Sequence, residues 1–337
     1  MKRLGILGAG RWGTALAAHL AAHGRDVVLW ARRPEFADQL RRERCNREYL
    51  PGIDFPPRLR VSAEIAEIAD QEAVVVVVPS HGFREVVRQL LAHTANDRPT
   101  ILISATKGIE AETLARMSQV SFEEAVVADR EVRFAALGGP SSAAELAAGS
   151  PTVVVVSSED GELAADLRHS LATPSFRLYS TTDVVGVELG GTTKNVIAIA
   201  AGVVSGLGLG QTTLAALVTR GLHEITRLGM ACGGRSRTLA GLAGLGDLVL
   251  TCTGNLSQDF RLGTELAAGK TLQEITEATP TVAEGVRNSL AVAALAKRRG
   301  VEMPITEQVV RILYEHKSPR RTVADLMMRA LRAETEL

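Results

Sequence analysis

Along the first half of the chain, short apolar runs alternate with stretches where apolar residues recur at helical spacing. Residues 3–7 read as a strand, 14–23 as a helix and 27–30 as a second strand. Further strands are predicted at 74–78, a pure valine run, and at 101–104, 135–137 and 153–156, with helical patterns at 82–92 and 163–171. Continuous Val/Ile runs separated by helices indicate a parallel sheet covered on both faces. From about Val187 onward Ala, Leu and Gly dominate at helical spacing. The expected fold is an α/β domain with a mostly parallel, doubly wound sheet at 1–185, then an all-α domain at 186–337. Ser180-Thr181-Thr182-Asp183 is the expected joint and N-cap region.

The apolar stretch 196–218 is long enough to raise a membrane span, but Gly202, Gly206, Gly208, Gly210, Gln211, Thr212 and Thr213 interrupt it and argue for a buried core helix with a glycine-rich break. Lys2-Arg3 imitates the start of an export signal, yet the apolar run that follows is too short and meets Gly8 and Gly10 at once. Composition narrows the function classes. Lys+Arg and Asp+Glu both number 38, a formal net charge of zero, which speaks against nucleic-acid or polybasic membrane-surface binding. Aromatic residues are only 4%, so stacking platforms are scarce. Cys45, Cys232 and Cys252 form no CxxC and no paired framework, which fits a reducing cytoplasm.

Gly8-Ala9-Gly10-Arg11-Trp12-Gly13 fits G-x-G-x-x-G directly after a strand and at the head of a helix, the context that makes it a dinucleotide fingerprint. Gly8 permits the tight turn, Gly10 lets backbone approach a pyrophosphate, and Gly13 lets helix and strand pack closely. At the end of the second strand, where NAD-preferring sites place a carboxylate, the chain has Arg32-Arg33. Two guanidiniums suit a 2′-phosphate, so NADPH is the expected cofactor, with NADH tolerated. Surface coverage is the alternative role for both arginines.

Two lysines stand apart from the surface set. Lys107 follows the strand 101–104, at the strand end where open α/β sheets bind ligands. Lys194 is read as the head of an apolar helix, where its charge opposes the helix dipole; that cost suggests a role in chemistry, with a snorkelling lysine as the alternative. Asp247, flanked by apolar residues, needs a partner and either orients Lys194 or caps a helix. His19 and His23 have i, i+4 spacing but no evident third ligand, so no metal is expected. His81 falls at a ligand-facing strand end. Cys252 reads as a small buried hydrophobe, since no base is evident beside it.

In sum, the segments GAGRWGTALA, NREYLPGI, VPSHGFR, SATKGIE, GGPSSAAELAAG, GVELGGTTKNVIAIAAGVVSGLG, AALVTRGLHEITRLG, GLAGLGDLVLTCTG, VAEGV and VEMPI, in this order, resemble the bacterial NAD(P)-dependent glycerol-3-phosphate dehydrogenase family over nearly the whole length. The resemblance implies a Rossmann domain and a helical domain, usually in a homodimer. It implies reversible reduction of dihydroxyacetone phosphate to sn-glycerol 3-phosphate, a phospholipid precursor. By the same resemblance Lys194 is the proton acceptor in oxidation and Lys107 contacts both substrate and cofactor. Asn195, Asp247 and Thr251 surround the reacting carbon, and Gly139, Ser141 and Ala143 line the site. Arg11, Trp12, Arg32, Arg33, Val282, Glu284 and, less surely matched, Tyr49 lie on the cofactor side.

The pattern departs from the family at Ser257-Gln258-Asp259, where the family has Ser-Arg-Asn and its arginine holds the substrate phosphate. Gln258 is neutral and Asp259 would repel a dianion, while Arg261 is a substitute two residues on. Arg11, Gln211 and Ser142 are lesser departures. A paralogous reductase acting on another 2-keto substrate is therefore the alternative reading. A 3-hydroxy-acid or 6-phosphogluconate-like dehydrogenase is disfavoured by segments 187–208 and 244–253. A non-catalytic dinucleotide sensor is disfavoured by the joint presence of Lys107, Lys194 and Asp247.

Overall fold

The strands form where the valine runs stand. A computed structural model of the chain describes residues 1–254, 257–278 and 283–330. In chain order the strands are β1 (Arg3–Leu7), β2 (Asp26–Trp30), β3 (Cys45–Asn46), β4 (Leu50–Asp54), β5 (Leu59–Ser62), β6 (Ala73–Val76), β7 (Thr100–Ser104), β8 (Val132–Gly138), β9 (Thr152–Ser157) and β10 (Phe176–Thr181). The helices among them are α1 (Arg11–Ala22), α2 (Pro34–Glu43), α3 (Ile65–Ala69), α4 (Ser80–Leu91), α5 (Met117–Ala128), α6 (Ala143–Ala147) and α7 (Gly161–Leu171). Eight strands make one sheet in the order β10-β9-β8-β7-β6-β1-β2-β5, and β3 pairs with β4 in a separate hairpin. All neighbours in the sheet are parallel except β8 and β9. The fold class expected from the valine runs is the one observed, with β9 and β10 reversed relative to the other six strands.

The sequence pattern missed β5 and β10, and the reason is positional. They are the two edges of the sheet. β10 alternates buried and exposed residues at Phe176, Arg177, Leu178 and Tyr179, because an edge strand has one wet face and lacks the continuous apolar run of a central strand. α1 begins at Arg11, three residues before the apolar pattern announces it, since the glycine turn feeds straight into the helix.

Contacts divide the chain into two units. One comprises Met1–Glu110 with Ala115–Val184; the other comprises Ala111–Leu114 with the chain from Val185 onward. The second unit is helical: α8 (Val184–Gly206), α9 (Gly210–Ala231), α10 (Ser236–Leu239), a π-helical turn at Leu242–Gly246, α11 (Asp247–Cys252), α12 (Gln258–Ala267), α13 (Leu272–Ala278), α14 (Glu284–Arg299), α15 (Pro304–Tyr314) and α16 (Pro319–Met327). The long apolar stretch is thus two helices, broken at Leu207–Leu209 with Gly208 in the left-handed region at φ 69°. No described helix is long and apolar enough to cross a membrane.

α8 is the axis of this unit: every residue from 186 to 199 is buried, the polar Glu188, Thr192, Thr193, Lys194 and Asn195 among them. Neighbouring helices reach it through glycines. A Cβ on Gly202 would lie 1.9 Å from the Phe260 carbonyl oxygen of α12, and one on Gly263 would lie 2.0 Å from that of Ile199. α15 is anchored by Glu224 of α9, whose carboxylate accepts the N–H groups of Ile305 and Thr306 and the Thr306 hydroxyl at 2.5, 3.1 and 3.0 Å. A methyl at Gly263 has no side chain to displace, only backbone, so Gly263→Ala should lower the urea unfolding midpoint by a stability loss of about 1–3 kcal/mol or more.

Candidate active site

The first unit builds a phosphate cradle from its glycine turn. β1 lies between β2 and β6, the point where the strand order reverses and where open α/β sheets take their ligands. Gly8 leaves β1 at φ 122°, and a Cβ there would stand 2.4 Å from the Val77 carbonyl oxygen beyond β6. A Cβ on Gly13 would stand 2.0 Å from the Gly8 carbonyl oxygen, so α1 packs on the turn only with glycine there. A Cβ on Gly10, by contrast, would meet nothing within 4 Å. Gly10 makes no side-chain cap, and the first turn of α1 holds no acidic residue. The N–H groups of that turn therefore face space that a Cβ would otherwise fill, with no carboxylate to repel an anion, and the residues present fit a dinucleotide pyrophosphate.

Asn46, fully buried, holds this turn in place. Its Nδ2 donates to the Ala9 carbonyl at 3.0 Å and to the Thr14 hydroxyl at 2.8 Å, and its Oδ1 accepts the Tyr49 N–H at 3.1 Å. Sequence reasoning did not single it out, because no spacing rule ties residue 46 to residue 9. Arg11 Nε donates to the Tyr49 carbonyl at 3.3 Å. Trp12 packs with Leu50, Ile53 and Ala143. Arg32 and Arg33 are exposed beyond β2. Arg33 lies 3.6 Å from the Glu48 carboxylate, with its guanidinium 5.1 Å from the Phe36 ring centre.

Lys107 is half-buried three residues past β7, and its Nζ donates to the Gly139 carbonyl just past β8 at 3.4 Å. Ser141 Oγ donates to the same carbonyl at 3.4 Å. These two predicted residues and Gly139 therefore meet at the C-terminal edge of the sheet. The histidine pair is spent on packing. His19 bonds Thr173 Oγ1 at 2.8 Å and His23 bonds the His19 carbonyl at 2.8 Å, while burial, then the neighbouring His23, lowers the His19 pKa to about 4. Among the described residues no group of three His, Cys, Asp or Glu could hold a metal ion. His81 is exposed in the first turn of α4.

The second unit places Lys194 half-way along α8, not at a helix head, so the dipole argument for it does not apply; the helix begins ten residues earlier, at Val184. Burial is the relevant cost, since Lys194 is 6% exposed and Asp247 is 0% exposed. Lys194 Nζ donates to Asp247 Oδ1 and, at 2.9 Å, to Thr251 Oγ1. Thr251 in turn donates to the Asp247 carbonyl one helical turn back, at 2.6 Å. The π-helical turn at Leu242–Gly246 runs straight into α11 and delivers Asp247 as its first residue. Gly190, one turn before Lys194, lets that turn reach α8, since a Cβ on it would stand 2.5 Å from the Ala243 carbonyl oxygen. The run of glycines from Gly241 to Gly246 is the sequence signal for this arrangement, which periodicity alone did not resolve.

Around this pair, Asn195 is buried and so is Cys252, whose thiol is pushed up to about 12, chiefly by burial, and stays neutral. Ser257 caps α12, its hydroxyl accepting the Phe260 N–H at 3.2 Å. Gln258 and Arg261 are exposed, whereas Asp259 is buried and accepts the Gly285 N–H at 2.8 Å. Glu284, half-buried, opens α14. Val282, predicted on the cofactor side, lies outside the described residues.

Family models for the NAD-dependent glycerol-3-phosphate dehydrogenase N-terminus and C-terminus match residues 3–164 and 183–324. The chain belongs to this family. A glycerol-3-phosphate dehydrogenase [NAD(P)+] of Syntrophotalea carbinolica is 48% identical over 99% of both chains. The crystal structure of glycerol-3-phosphate dehydrogenase from Coxiella burnetii superposes with TM-score 0.92 at 40% identity, covering 97% of this chain and 99% of that one. A glycerol-3-phosphate dehydrogenase structure from yeast gives 0.82 at 25% identity, with 97% and 99% covered. For a member of an NAD-dependent family, the hold of Asn46 on the glycine turn becomes measurable. Asn46→Ala should lower the thermal midpoint, with a loss of about 1–3 kcal/mol from the unpaired buried groups, and weaken NADPH binding in calorimetric titration.

Proposed function

We propose that the chain catalyses the NAD(P)H-dependent, reversible reduction of dihydroxyacetone phosphate to sn-glycerol 3-phosphate. The observation that carries this reading is the buried Lys194–Asp247–Thr251 cluster in a chain of this family. The glycine turn of Gly8, Gly10 and Gly13 would hold a nicotinamide cofactor, which when bound would supply the hydride for the C2 carbonyl carbon. Lys194 supplies the matching proton to the C2 oxygen as it gains negative charge, and takes it back in the oxidation direction. Asp247 keeps the amine charged before transfer, and both Asp247 and Thr251 fix its direction. Lys107, by resemblance, adds a second cation toward the substrate. The resemblance further supports a homodimer, and the wide spacing of Cys45, Cys232 and Cys252 in the sequence, with no CxxC, supports a cytoplasmic setting.

For the substrate phosphate, the neutral Gln258 stands where the family pattern has arginine. Gln258 and Arg261 are both exposed and lie three residues apart on α12, so they share a face. Arg261 is accordingly our choice for the group that holds the phosphate. The neutral Gln258 also favours a second reading, a reductase of a less anionic 2-keto compound.

Steady-state NADPH oxidation with dihydroxyacetone phosphate separates the two. Turnover is expected, with Lys194→Met lowering kcat by about 10²–10⁴-fold, the worth of a positioned acid–base group. Arg261→Ala should raise KM by roughly 10–100-fold, the loss of one charge-assisted hydrogen bond. NADPH binding without turnover of this ketone, together with turnover of an unphosphorylated 2-keto compound, would establish the second reading instead. For cofactor choice, Arg32 carries more than Arg33, which is shared with Glu48. Arg32→Ala should weaken NADPH binding by about tenfold or more while leaving NADH binding unchanged, by the same charge-assisted bond.

A further inference from the structure

We propose that Asp259 is a positioning residue that sets the protonation of Lys194, its buried carboxylate adding a second negative charge to that of Asp247 around the ammonium while it fastens the first turn of α14. This rests on the proposed function, in which Lys194 moves the proton. It gives Asp259 a place other than the substrate contact expected from its position beside Gln258.

The geometry is that of a residue turned inward. In the first turn of α12 the side chain of Asp259 is 6% exposed, while its neighbour Gln258 faces solvent. Its Oδ1 accepts the N–H of Gly285, the second residue of α14, one of the helix-start donors that have no partner within their own helix. A Cβ on Gly285 would stand 2.5 Å from that oxygen and 2.8 Å from the carbonyl oxygen of Asn195, so the carboxylate and the backbone beside Lys194 converge on one glycine. α12 comes this near α8 because Gly202 and Gly263 remove the side chains between them.

The charges that act on Asp259 come from the helices around it. Lys194 of α8 attracts it and Glu284 of α14 repels it. Cys252 of α11 is acted on by the charges of Lys194, Asp259 and Asp247 as well. Burial pushes the Asp259 carboxyl up to about 7, against the pull of the Gly285 N–H and of Lys194. Above neutrality Asp259 therefore adds a second negative charge to the one that Asp247 places on the ammonium. That excess keeps Lys194 charged, which favours proton donation to a ketone and moves the onset of alcohol oxidation toward higher pH. Where the family pattern has an asparagine amide, this chain carries a charge, and the consequence is specific to it.

Asp259→Asn isolates the charge, because an amide oxygen can still accept the Gly285 N–H. The first readout is the pH profile of glycerol 3-phosphate oxidation, whose acid limb should move toward lower pH by about one unit, the size of one opposite charge nearby. The second is an NMR titration of lysine labelled with ¹³C at Cε. The chain has only six lysines, and the Lys194 signal is identified by its loss in Lys194→Met. Its midpoint should fall in the variant by the same amount. An unchanged Lys194 midpoint overturns the proposal, whatever the activity. A shifted midpoint in a protein that does not oxidise glycerol 3-phosphate upholds it and overturns the functional reading alone.

Discussion

An ammonium group within the buried stretch 186–199 of α8 is the constraint around which the second unit is organised. Moving a charge into a protein interior costs several kcal/mol unless it is paired and hydrogen-bonded. Lys194 meets that cost with Asp247 and Thr251, and each of these needs support of its own. Asp247 is delivered by the π-helical turn that runs into α11, and Thr251 is tied back to the Asp247 carbonyl. An apolar pair of equal volume would serve stability as well or better. A buried charge that stability does not require is what the proposed proton transfer would use.

The same helix imposes its geometry on its neighbours. Because α8 is buried from residue 186 to 199, its neighbours come within backbone distance of it. Gly190, Gly202 and Gly263 are where that happens, each facing a carbonyl oxygen that a methyl group would strike. The glycines thus do in the helical unit what Gly8 and Gly13 do in the sheet unit, where they let strand, turn and helix close on one another. In both units small residues are spent on bringing backbone near the reacting groups, and polar side chains such as Asn46 and Asp259 then fasten the backbone that has come close.

Much of this was legible in the sequence. Central strands such as β6 and β7 showed themselves as continuous Val and Ile runs because both of their faces are covered. The glycine fingerprint declared the turn, since its three positions answer to local steric needs within six residues. Lys107, Lys194 and Asp247 stood out by chemistry, as charged groups set in apolar or glycine-rich surroundings, and the family resemblance supplied Thr251 and Asn195.

Other features depended on tertiary contacts. The edge strands lacked the buried-strand pattern because β10 alternates buried and exposed residues and β5, only four residues long, is interrupted by the exposed Arg60. Lys194 looked like a helix head because the residues before it, Gly190 to Thr193, are poor helix formers that packing nevertheless holds in α8. The pairing of residue 194 with 247, of 46 with 9, and of 259 with 285 joins positions with no periodic relation. Local sequence determined which elements form and which residues carry charge. Which charges meet was decided by how closely the helices pack, because a buried ion finds its partner in the folded core and nowhere along the chain.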